Sequence, residues 1–100
     1  MKKIIPKEFE LAGQKIKVSK AKDIKVDGAV GVARFYTNEI RVRTEVSSEP
    51  ISQDAMDHHY CHELSHWLTY IAGYEELCAD ENFQDRMGHM LHQYLKTVKY

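Results

Sequence analysis

The residues best suited to chemistry stand together at His62-Glu63-Leu64-Ser65-His66, an H-E-x-x-H pattern. On a helix, side chains four apart lie one above the other, so His62 and His66 reach a single ion together. Glu63 then projects beside that ion rather than onto it. Two imidazoles supply two of the three protein ligands of a catalytic zinc site, and the carboxylate is placed to take a proton from the water in the fourth position. Zinc is therefore the expected cofactor and Glu63 the expected catalytic base.

This chemistry requires a helix, and the flanking residues favour one. From Ser52 to Ala72 there is neither Pro nor Gly. Ser52 suits an N-cap, Asp54 and Asp57 sit near the positive end, and Gly73 is a natural stop. Met56, Tyr60, Leu64, Trp67, Leu68 and Ile71 form an apolar stripe, from which His62 and His66 point about 150° away. The competing reading is a pair of surface histidines on an amphipathic helix. His58 extends the four-residue spacing, but three ligands along one straight helix span about 12 Å, too far for one ion.

A catalytic site needs a third protein ligand. The metzincin pattern would place a histidine six residues after His66, where this chain has Ala72. A carboxylate from the next segment is the remaining common choice, and Glu75, Glu76, Asp80, Glu81 and Asp85 are available. Glu81 lies off the apolar stripe of its helix, near the first turn, where an antiparallel hairpin would return it over the histidines. Asp85, one turn on, is the alternative, or an acceptor that orients a ligand histidine. Glu75 and Glu76 read as a solvated acidic connector.

The elements that must position these groups can be read in order. Residues 1–7 form a lead-in with Pro6 against regular structure. Phe9–Leu11 and Lys15–Ser19 read as strands joined by a turn, and Ala21–Gly28 as a short strand or loop. Val30–Tyr36 and Glu39–Thr44 are the clearest strand pair, turning at Thr37-Asn38. Their lysines and arginines suit a solvated face. Ser47–Pro50 reads as a loop. A second helix is expected from about Ala79 to Val98, with Phe83, Met87, Met90, Leu91, Tyr94, Leu95 and Val98 facing the core. Strands first and helices after imply an α+β fold, a small mainly antiparallel sheet packed against two C-terminal helices.

The 100 residues suit one domain with a modest core. A net charge of -1 gives no electrostatic reason to expect nucleic acid or an anionic membrane as partner. No apolar run reaches the roughly 18 residues of a membrane span. The start, Met1-Lys2-Lys3-Ile4-Ile5-Pro6, lacks the apolar segment of a signal peptide, so a cytoplasmic location is expected. Cys61 and Cys78 make no C-x-x-C pair and are expected as free thiols, Cys61 buried. His89 and His92 are expected at the surface, with the alternative that His92, on the same face as Glu81, Asp85 and Gly88, faces the cleft. Tyr36, Tyr60, Tyr70, His59, His89 and His92 are all candidates to stabilise an oxyanion. Nothing in the sequence indicates an oligomeric state.

From Ile40 onwards the chain resembles the small phage- and bacterium-encoded gluzincin-type metallopeptidases related to ImmA/IrrE. His62, Glu63 and His66 match that motif, and Ser65 matches the small residue before the second histidine. Asp80-Glu81-Asn82-Phe83-Gln84-Asp85-Arg86 resembles the family's ligand segment and points to Glu81. The resemblance implies a minimal zincin-like domain that hydrolyses a protein or peptide substrate. It also implies that the strand just before the helix, Glu39–Thr44, edges a cleft where a peptide adds as a further strand. The alternative function is a catalytically silent zinc-stabilised interaction module, since a small core gains from a metal staple. A zinc-assisted hydrolase acting on nucleic acid or a small molecule is a third reading, disfavoured by the lack of a basic patch.

Overall fold

The computed structural model describes residues 2–100. Its strands are β1 (Glu8–Leu11), β2 (Gln14–Ala21), β3 (Gly31–Arg34), β4 (Glu39–Arg43), β5 (Glu45–Val46) and β6 (Glu49–Pro50). Its helices are α1 (Gln53–Ala72), α2 (Glu75–Ala79) and α3 (Glu81–Thr97). The fold is α+β, a mostly antiparallel sheet packed against C-terminal helices, as the order of the elements implied. Of the expected lead-in, Met1 lies outside the described residues.

The main sheet runs in the order β1-β2-β4-β3, antiparallel except where β2 and β4 pair in parallel. The parallel pair arises because the chain leaves β2, crosses through the loop 22–30, and lays down the edge strand β3 before turning back into β4. This corrects one expectation. Glu39–Arg43 is buried between two neighbours, and β3 rather than β4 forms the edge. The alternation in β4, with Ile40 and Val42 fully buried between partly exposed Glu39, Arg41 and Arg43, is that of a strand with one face on the core. Arg41 and Glu39 pair at 3.1 Å on the other face.

Local turn chemistry accounts for the connections. Asn38 ends the β3–β4 turn with φ 52°, a left-handed conformation that Asn tolerates. Ser47 and Ser48, with φ 50° and 67°, make a two-residue turn between β5 and β6, where a loop was expected.

Helix α1 begins where Ser52 accepts a hydrogen bond from the Ala55 amide at 3.2 Å. It ends at Gly73, φ 82°, with Gly73 N donating to Tyr70 O and Tyr74 N to Thr69 O, the two bonds of a Schellman cap. One face packs on the sheet: Tyr60, Cys61 and Trp67 join Ile16, Ile40 and Val42 in the core. Trp67 meets Phe35 edge to face at 5.0 Å and donates to Glu39 O at 3.3 Å, satisfying its indole N–H. Leu68, expected on that face, is 36% exposed.

The second helix expected from about Ala79 to Val98 is α3, and the connector before it adds a short helix. The acidic connector forms the short α2, and Asp80 closes it while capping α3 by accepting from Phe83 N at 3.1 Å. α3 packs along α1 through partly buried Phe83, Met87, Leu91 and Leu95 and buried Gln84, Gly88 and His92. Met90 and Tyr94, expected in the core, are more than half exposed. Gly88 explains the shift of face. A Cβ there would lie 2.9 Å from His62 Cα and 3.0 Å from His62 N, so only glycine allows so close an approach. Among the described residues, no helix is long and apolar enough to cross a membrane.

Candidate metal centre

The close seam at Gly88 sets the geometry of the site. Two turns before Gly88 on α3, Glu81 occupies the first helical position, where the positive end of the helix favours a carboxylate. Because α3 runs back along α1, Glu81 arrives over both histidines. His62 Nε2 lies 3.0 Å from Glu81 Oε2, and His66 Nε2 lies 3.1 Å from Glu81 Oε1. Both rings thus present Nε2 to one carboxylate, and donor atoms of all three residues fall within 4.8 Å of one another. Tetrahedral zinc with bonds near 2.1 Å separates its ligand atoms by about 3.4 Å, so opening of a few tenths of an ångström admits an ion. The Glu81 side chain, 68% exposed, is free to make that adjustment.

The opposite ring nitrogens have partners of their own. His62 Nδ1 faces Asp85 Oδ1 at 3.8 Å, and His66 Nδ1 faces Cys78 Sγ at 4.0 Å. Asp85 therefore stands behind His62, and Glu81 rather than Asp85 lies against both Nε2 atoms. Burial holds His66 below its ordinary pKa against the pull of Glu81, which keeps its ring neutral and available to a cation.

Glu63 is buried under the edge strand. Gly31 makes room for it: a Cβ there would lie 3.1 Å from Glu63 Cγ and 3.2 Å from Oε2. Burial raises the Glu63 carboxyl to about 7. His62 lowers it, Glu81 raises it, and the Ala33 backbone amide lowers it. A cavity of about 710 Å³ opens over these groups, with Glu63, His62, His66 and Glu81 in its wall beside β3 residues and Tyr70. Tyr70 stacks on Phe35 at 4.0 Å.

Several contributors escaped the sequence reading. Gln84 is fully buried. It accepts from Ser65 Oγ and donates through Nε2 to Thr69 Oγ1 at 2.9 Å and Leu77 O at 2.8 Å. This polar seam ties all three helices together one residue from His66. Cys78 also donates to His66 O at 3.5 Å. A glutamine at a core position of α3 was the available signal for the seam; nothing local marked Gly31.

Of the six oxyanion candidates, Tyr70 lines the large cavity, whereas Tyr60 is buried against Phe9 and Tyr36 is fully exposed. His92 corrects its surface assignment: it is buried, 3.6 Å from Asp54. The chain matches no family model, no curated protein and no solved structure.

Proposed function

We propose that the protein is a zinc-dependent peptidase. The observation that carries this reading is Glu63, buried beside the triad and facing its cavity with a pKa raised to about 7. A purely structural site needs no such base and commonly closes with a fourth protein ligand. Here the cluster is of three side chains among the described residues.

His62, His66 and Glu81 would hold the zinc ion, which would supply Lewis acidity to a water and to the substrate carbonyl. Glu63 receives the proton of the attacking water. It then delivers that proton to the leaving amide nitrogen as the C–N bond breaks. His62 and His66 are held by Asp85, Cys78 and the Gln84 seam. The substrate is a peptide that extends the sheet at β3, which has no strand on its outer side and whose residues line the cavity. Val32, Ala33, Phe35 and Tyr70 favour an apolar side chain beside the scissile bond. The resemblance to gluzincin-type metallopeptidases supports the same reading.

The test is digestion of a proteome-derived peptide mixture by zinc-loaded protein, read by mass spectrometry. The wild type should generate new termini and Glu63→Gln none, with equal zinc bound. Hydrolysis retained in Glu63→Gln rejects the assigned base. No hydrolysis by either, with zinc in place, favours the interaction module.

A further inference from the structure

The antiparallel packing of α1 on α3 repeats its pairing at one-turn intervals. His66 and His62 meet Glu81; then His62 and His58 meet Asp85; then Asp54 meets His92 and Lys96. The middle rung has the composition of a second metal site. His58 Nε2 lies 3.5 Å from Asp85 Oδ1, and His89 Nε2 lies 4.0 Å from Asp85 Oδ2. The His58 and His89 rings are tilted by 34° with centroids 4.2 Å apart. Donor atoms of all three residues lie within 4.8 Å of one another, the same measure the first triad meets.

We propose that His58, Asp85 and His89 bind a second divalent transition-metal ion of the zinc, cobalt and nickel class, one helical turn from the first site. The donor set is two imidazoles and one carboxylate, which suits those ions rather than magnesium or calcium, whose sites are built from oxygen. Ligand atoms about 3.4 Å apart surround a tetrahedral ion, so the 4.0 Å separation of His89 from Asp85 must shorten, and the His89 side chain is 67% exposed. Access is available through a cavity of about 410 Å³ lined by His58, Asp85, His62 and Glu63. Asp85 also faces His62 Nδ1, which makes its carboxylate the link between the two sites. The inference does not rest on peptidase activity, because it concerns metal binding by residues other than Glu63 and the first ligand cluster.

The test is equilibrium dialysis against micromolar zinc, followed by elemental mass spectrometry. Four full-length proteins are compared: wild type, His89→Ala, His66→Ala and the double variant. Two zinc ions per chain in the wild type, one in each single variant and none in the double variant are expected. His89 is exposed, so its replacement leaves the fold intact, which circular dichroism verifies. One ion in the wild type, unchanged in His89→Ala and lost in His66→Ala, overturns the second site and leaves the first standing. Two ions in both the wild type and His89→Ala also overturn it. One ion lost only in His89→Ala supports the second site while rejecting the first.

Discussion

Glu63 concentrates the residue-scale consequences. A carboxyl raised from 4.5 to about 7 binds its proton more tightly in the folded chain than in the unfolded one. Stability of the metal-free protein is therefore greatest at low pH with respect to this group and falls as pH rises from about 4.5 to about 7. The loss is at most about 3 kcal/mol. Glu63→Gln removes the titration, so the metal-free variant should exceed the wild type in urea denaturation at pH 7.5 and lose that advantage near pH 4.5. Equal stability at both pH values would show that the carboxylate is not desolvated. Cys61 offers an independent check on the same helix. Burial pushes its thiol up to about 12, so alkylation should follow global unfolding, whereas partly exposed Cys78 should react in the native state. At this scale the sequence was most informative. H-E-x-x-H carries its geometry in its spacing, whereas the spacing left Glu81 and Asp85 both open and only the family resemblance pointed to Glu81, the carboxylate that lies against both histidines.

Elements bring those residues together, and here sequence was a weaker guide. The ends of α1 were legible because Ser52 and Gly73 act through local hydrogen bonds. The face of α3 was not, because the contact that rotates Met90 and Tyr94 outward is a missing side chain, Gly88 against the His62 backbone. The position of β3 was not legible either: strand order depends on a crossover between distant segments, and alternation reports a strand's faces, not its neighbours. Gly88→Val should force α3 away from α1, costing about 1–3 kcal/mol and carrying Glu81 off the histidines. Calorimetry should register that loss together with weakened zinc affinity. Unchanged zinc binding would mean that the helix seam does not set the site. Gln84→Ala would strand the Ser65 hydroxyl in the interior and should cost about 1–3 kcal/mol by urea denaturation.

The whole molecule is small, and its buried core of Ile16, Ile40, Val42, Tyr60, Cys61 and Trp67 is modest. A metal held as proposed would join α1 to α3 and couple the proposed site to global stability. Ligand at about 100 times its dissociation constant adds about 2.7 kcal/mol, so chelation should lower Tm by about 10–20 °C. A chelator-insensitive Tm would uncouple the site from the fold. The most direct test of the central claim is a crystal grown with zinc and measured at the zinc absorption edge. The account predicts an anomalous peak about 2.0–2.2 Å from His62 Nε2, His66 Nε2 and a Glu81 oxygen, with no fourth protein ligand. No peak between these residues, or one closed by a fourth side chain, would contradict it.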